Sequence, residues 1–292
     1  MRIRRVLMIP KKTAVERARS SHAPDERAVL ARLERGDDAT HLLALEAHEH
    51  AGSLAQVIET LEARGITWVR HPIGRPLPKG RFDLVVTVGG DGTLLETSHF
   101  LRGRVPVLGV NSAPTTSVGF LTTCRAPQFG RMLDRLVDEA LEPVAVHRLR
   151  VWIDDEEIDE PVLNDVLFTH ESPAQTTRYV LRAPGVEEYQ RSSGLWIAAP
   201  AGTTAALRSA GGESLPLDAA RFAYRVREPY APPGRRVRTA GGRLEARQTL
   251  SLVCQVPSAM LFVDGAHHTY RVPFGAEVRF RLSAPPLRLV RG

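Results

Sequence analysis

Cysteine is scarce in this chain: 292 residues contain two, Cys124 and Cys254. Neither belongs to a CxxC pair, which removes the usual sequence ground for a zinc or redox centre and leaves two reduced, packed thiols. Long apolar runs are also missing, and none approaches the roughly 18 residues of a membrane span. The basic opening "MRIRRVLMIPKKTAVERARSS" has "VLMIP" as its only apolar part. That is too short for a signal-peptide core, so the segment reads as a first strand and the expected location is cytoplasmic, with no membrane partner. No GxSxG elbow surrounds Ser192, Ser193 or Ser214, which argues against serine hydrolysis. "EAHEH" (46–50) is not HExxH; His48 and His50 stand two apart, do not share a helix face, and are expected on a solvated surface, as are His267 and His268. No internal repeat or long low-complexity tract is present, and no metal-ligating set is expected among the protein side chains.

What is present is a globular composition, 43% hydrophobic and 25% charged, long enough for two domains. The net charge of +6 is dominated by arginine. It is compatible with nucleic-acid binding, but no recognition motif accompanies it and no nucleic-acid partner is expected; a small polyanionic substrate explains it equally well, and compositional bias toward arginine is a third reading.

Strand and helix signals alternate through the first part. "RVLMIP" (5–10), "ITWVRH" (66–71), "DLVVTV" (83–88) and "VPVLGV" (105–110) read as strands, while 24–35, 52–64 and about 93–101 read as helices, with Gly65 as a stop. Strand, glycine loop, helix, strand makes a βαβ unit and hence a parallel, Rossmann-like sheet. "PQFGRMLDRLVDEAL" (127–141) predicts one amphipathic helix with Phe129, Met132, Leu133, Leu136 and Val137 on its apolar side. After it, strand-like segments separated by Gly, Pro and Asp dominate, and 229–247 reads as a loop. The expectation is an α/β domain over 1–125 and an all-β, sandwich-like domain over 126–292.

The stretch "TVGGDGTLLE" (87–96) ends the strongest strand. Gly89, Gly90 and Gly92 let backbone N–H groups approach phosphate oxygens, and the helix that follows adds its positive end. It is neither a Walker loop nor GxGxxG, and it has no lysine. Asp91 beside a phosphate is unfavourable unless it takes a proton from an attacking hydroxyl or holds Mg²⁺; a plain strand-to-helix turn is the bland alternative.

"GGDGT" after a buried strand resembles the signature shared by NAD kinases, diacylglycerol kinases and phosphofructokinases. "VLNDV" (162–166), "RSSGLWIAAPAGTTAA" (191–206) and "FVDG" (262–265) narrow the likeness to NAD kinases. "GVNSAPTTSVGFL" (109–121), Ser193, "PKKTAVE" (10–16) and "VREP" (226–229) are similar to the mitochondrial-type branch. The resemblance implies phosphoryl transfer from ATP, carried with Mg²⁺, to the 2′-hydroxyl of the adenosine ribose of NAD. It makes Asp91 the base and sets Gly90, Gly92 and Thr93 along the phosphates. Asn164 and Asp165 hold the substrate, and Gly202, Thr203, Thr204 and Ala205 form the small-residue turn, with Ser209 just beyond. Arg191 and Ser193 lie near the substrate, Asn111 shapes the neighbouring loop, and the assembly is a homodimer. Ala206 stands where the family commonly has an aromatic residue. Two other readings remain: a lipid kinase sharing GGDGT, and an inactive nucleotide-binding sensor.

Overall fold

The computed structural model describes residues 2–234 and 236–292. The chain forms two compact units, Met1–Val144 with Arg288–Gly292, and Ala145–Leu287; the sequence places the division at 125/126.

The first unit runs β1 (Arg5–Pro10), α1 (Ala14–Ser20), α2 (Pro24–Glu34), α3 (His41–Ala63), β2 (Thr67–Arg70), β3 (Leu84–Gly89), α4 (Asp91–Ser98), β4 (Val107–Asn111), β5 (Cys124–Arg125) and α5 (Phe129–Val137). β1 pairs in parallel with β2 and β3, β3 with β4, and β4 with β5. From the C-terminus, Leu289 and Val290 add parallel pairing to Val107 and Leu108. Every residue of β3 is buried, which is why it reads as an unbroken apolar run rather than an alternation. One sheet face is closed by Val57 and Leu61 of α3 and by Phe129, Met132, Leu133 and Leu136 of α5. Val137 does not join them: α5 ends there and the side chain is exposed. α3 starts well before the expected residue 52, and it stops in a Schellman arrangement in which Gly65 N–H donates to Glu62 O and Ile66 N–H to Leu61 O. Among the described residues no helix is long and apolar enough to cross a membrane.

The second unit takes up β6 (Val144–Ile153) and continues with β7 (Glu156–Glu157), β8 (Asp165–His170), β9 (Thr177–Ala183), β10 (Val186–Ser192), β11 (Gly194–Ala198), α6 (Ala206–Ser209), β12 (Arg221–Arg227), β13 (Gly241–Glu245), β14 (Leu250–Cys254), β15 (Ala259–Val263), β16 (His268–Val272) and β17 (Glu277–Val290). Six strands make an antiparallel sheet in the order β13-β12-β11-β8-β15-β16. Opposite it, β10, β9, β14 and the start of β17 pair antiparallel. The two inner faces share one core, with Phe168, Leu195 and Ile197 against Tyr179, Leu252 and Phe280. The Phe168 and Tyr179 rings meet edge-on at 5.4 Å. This is a sandwich. β13 lies inside 229–247, so that stretch is not all loop; its two glycines hide a strand made by pairing with β12. Cys124 and Cys254 are buried free thiols, and burial pushes Cys124 up to about 12.

Candidate active site

The first unit carries the phosphate loop. β3 ends at Gly89 and α4 begins at Asp91, with Gly90 as an N-cap that offers no side-chain bond. Thr93 N–H donates back to Gly90 O at 3.0 Å, and the N–H groups ahead of it carry the positive end of the helix. A Cβ on Gly89 would stand 2.2 Å from Thr93 Oγ1, so glycine is what lets the strand turn directly into the helix. Thr93 itself is buried.

Asp91 turns away from its own helix. Its Oδ2 accepts from Phe120 N–H at 2.7 Å. Its Oδ1 accepts from Leu121 N–H at 3.0 Å, from Thr122 N–H at 2.9 Å and from the Thr122 hydroxyl at 2.9 Å. The long loop after β4 is thus wound onto this one carboxylate. Asn111 shapes the other end of the loop, its Nδ2 donating to Ser117 O at 2.9 Å and its Oδ1 accepting from Ala113 N–H at 3.3 Å. His50 belongs to the same neighbourhood, which corrects its expected solvated position. α3 buries it, and its Nδ1 lies 2.9 Å from Ser112 Oγ. Burial, with the charge of Lys11 adding to it, pushes His50 down to about 4, so the ring is neutral. His48 is exposed as expected.

In the second unit three of the sequence motifs meet at one corner. Asp165 opens β8 and pairs with Ala198 at the end of β11, and Ala199 N–H donates to Asn164 O at 2.9 Å. Asp264, just past β15, binds three consecutive N–H groups. Leu163 N–H reaches its Oδ2 at 2.9 Å, and Asn164 N–H and Asp165 N–H reach its Oδ1 at 2.7 and 3.0 Å. The corner therefore hangs on one carboxylate, as the loop hangs on Asp91. Asn164 Nδ2 donates to Asp165 Oδ2 at 3.2 Å. Burial first, then the neighbouring Asp264 charge, lifts Asp165 from its ordinary 3.8 to about 7.

Gly202 backs directly onto this corner: a Cβ there would stand 2.0 Å from Asn164 O. Gly202→Ala is therefore expected to push the turn off the corner and cost about 1–3 kcal/mol, as overpacking does. Chemical denaturation measures it, and an unchanged midpoint would show the contact to be slack.

The remaining site residues are distributed unevenly. Thr203 is fully buried; its hydroxyl donates to Pro200 O at 2.7 Å and accepts from Leu215 N–H at 2.8 Å, so it shapes the turn from within. Thr204 Oγ1 donates to Ala201 O at 3.0 Å. Ala205 leads into α6, whose Ser209 is exposed. Arg191 and Ser193 are not at the corner. Ser193 precedes β11 at the end of the β8–β11 pair opposite the corner, about 15 Å along the strand at the usual rise, and Arg191 comes just before it in β10. There they line a cleft of about 420 Å³ with Arg178 and Tyr230, and the Arg191 guanidinium sits 5.8 Å from the Tyr230 ring centre. His268 is half-buried and 3.0 Å from Glu160, not exposed; His267 is exposed. Asp264 is the residue that sequence reasoning missed as a working part of the site. An Asp-Gly pair after a strand reads as a hairpin turn, and nothing local reveals that its carboxylate binds residues 163–165.

The first unit thus ends its central strand in an uncapped GGDGT turn, and the second carries an Asn–Asp corner pinned by Asp264. A family profile described as the ATP-NAD kinase N-terminal domain matches residues 43–141. A probable NADH kinase of Oryza sativa subsp. japonica is 32% identical over 254 residues, covering 79% of this chain and 78% of that protein. An NADH kinase of Arabidopsis thaliana is 29% identical, with 83% of each covered. The chain belongs to the NAD kinase family. Two solved structures share the fold. An NAD kinase from Archaeoglobus fulgidus in complex with ATP has a TM-score of 0.65 at 21% identity, covering 97% of this chain and 92% of that one. Yeast NADH kinase complexed with NADH has a TM-score of 0.74 at 16% identity, covering 99% and 84%.

Proposed function

We propose that this chain transfers the terminal phosphoryl group of ATP to the 2′-hydroxyl of the adenosine ribose of NAD, giving NADP and ADP. The observation that carries the reading is the corner at Asn164–Asp165, where segments 162–166, 198–205 and 263–265 converge on a half-buried amide beside a buried carboxylate. An ionised carboxylate accepts from ribose hydroxyls, and an amide both donates and accepts. Gly202 to Ala205 let the nucleotide lie close to this pair.

At the donor end, Gly90, Gly92 and Thr93 present the helix N-terminus to the phosphates. Oδ1 of Asp91 already holds three hydrogen bonds, whereas Oδ2 holds one. Oδ2 thus keeps a lone pair, and in this reading it takes the 2′-hydroxyl proton as that oxygen attacks the terminal phosphorus and ADP departs. A carboxylate so engaged is a poor cation ligand. A divalent metal, proposed as Mg²⁺, would come with ATP and would offset phosphate charge there. Arg191 and Ser193 in their cleft, with Ser209 on α6, are assigned to the outlying parts of the dinucleotide. A homodimer and a cytoplasmic location complete the proposal.

NADH as the preferred acceptor is a second reading, supported by the names of the plant relatives. One assay separates the readings: purified protein, Mg²⁺ and ATP with NAD or with NADH, scored for NADP(H). Turnover of either supports the kinase. Phosphorylation of a sphingoid or diacylglycerol lipid with neither nucleotide would overturn it, as would binding without turnover across several donors and metals.

A further inference from the structure

The GGDGT loop holds no lysine, and lysine is rare in the whole chain. Of 39 Lys and Arg residues, three are lysine (Lys11, Lys12 and Lys79), leaving 36 arginines. A lysine brings a compact charge on a flexible stem, unlike the planar fork that this chain uses nearly everywhere else. Lys12 and Lys79 are exposed. Lys11 is tucked in, its side chain 15% exposed.

Its place is set by two fixed pieces of backbone. Lys11 follows β1, and its N–H donates to Val88 O at 2.8 Å, one residue before the glycine loop. A Cβ on Gly89 would stand 3.1 Å from Lys11 Cβ, so the lysine stem lies against the bare face of that loop. Two residues on, a reciprocal cap starts α1: Thr13 N–H donates to Glu16 Oε2 at 2.8 Å, and Glu16 N–H to Thr13 Oγ1 at 3.1 Å. The backbone is pinned on both sides, so any movement of Lys11 lies in its side chain. The ammonium is paired with Glu46 of α3, itself partly exposed. The pair is largely buried, so the ammonium leaves it only for a partner that replaces the lost bond; a polyphosphate, with several charge-assisted acceptors, does so.

We infer that Lys11 moves from Glu46 to the terminal phosphates of ATP lying over Gly89–Thr93, and supplies the cation that GGDGT lacks. This rests on the kinase reading above. The charge that develops on the transferring phosphoryl oxygens then meets both the α4 N-terminus and an ammonium.

The test compares the wild type with K11M, K11R and E46Q, measuring the KM for ATP, the KM for the acceptor, and ATP binding by calorimetry without acceptor. K11M is expected to lower kcat/KM for ATP by about 10- to 100-fold, the worth of a bond to a charged group, with the acceptor KM near its wild-type value. K11R keeps the charge and recovers part of the loss. E46Q removes only the resting partner, so donor affinity is maintained or raised. Wild-type donor binding in K11M, or equal losses for both substrates in K11M and E46Q, would overturn the inference in favour of a structural ion pair. Should K11M fail to fold, protection of Lys11 from an amine-reactive reagent by Mg·ATP in the wild type decides, with no protection counting against. A wild type that binds ATP through Lys11 but turns over neither NAD nor NADH would refute the kinase reading and leave this one standing.

Discussion

Asp91→Ala is expected to lower NADP(H) formation by about 10²- to 10⁴-fold, the usual worth of a positioned general base. The geometry adds a second consequence. The carboxylate accepts three consecutive N–H groups and a hydroxyl from residues 120–122, so its removal also frees the loop, and amide exchange at 120–122 should rise. Asp91→Asn keeps the shape but turns an NH₂ group toward donors, so it should loosen the loop as well. Thr122→Val separates the two effects, because it removes one bond to Asp91 and leaves the carboxylate in place. It should cost about 1 kcal/mol of stability and less than tenfold in kcat. If Thr122→Val were as inactive as Asp91→Ala, the acid would be a loop anchor and not a base.

The second large effect is at Asp165. In the unfolded chain this acid ionises near 3.8, and in the fold near 7. Between those values the folded state holds the proton more tightly. Its stability is therefore highest below about pH 4 as far as this group is concerned, and it falls as pH rises, with the full cost reached above pH 7. The rise from 3.8 to about 7 corresponds to about 4 kcal/mol. Asp165→Asn should remove that slope. Urea denaturation should find the variant close to wild type near pH 4.5 and more stable by up to about 4 kcal/mol near pH 8. The same substitution should lower kcat/KM for the acceptor by about 10- to 100-fold, because an ionised acceptor for ribose hydroxyls is gone. A stability difference that does not change with pH would show that burial and Asp264 do not hold the proton as argued. A site that costs stability where it works is the usual trade between fold and function.

Much of the architecture was legible in the sequence. Buried parallel strands announce themselves as apolar runs, and "DLVVTVGGDGT" shows strand, turn and helix start in a single line. Of the single helix expected over 127–141, α5 takes Phe129–Val137: its apolar positions Phe129, Met132, Leu133 and Leu136 are buried, while Val137, where it stops, is exposed. β13 was not readable, because two glycines give no strand signal and its partner β12 supplies the pairing. His50 was misread because alternate spacing says nothing about which face of α3 meets the loop at Ser112.

At the candidate site, the sequence by itself determined the chemical groups: a glycine turn that admits phosphate, one acid within it, an Asn–Asp pair, and a small-residue turn. These follow from side-chain size and charge, which are local properties. The tertiary structure alone decided which groups act on which. It wound residues 120–122 onto Asp91, hung residues 163–165 on Asp264, and stood Gly202 against Asn164. It also laid Lys11 beside a loop that has no lysine of its own, and set Ser193 at the end of β11 away from the corner, with Arg191 just before it in β10. Each of these joins residues tens of positions apart or more, or is settled by strand register. Hydrogen bonds and close contacts between distant segments leave no trace in spacing, because they arise only once the strands have chosen their partners.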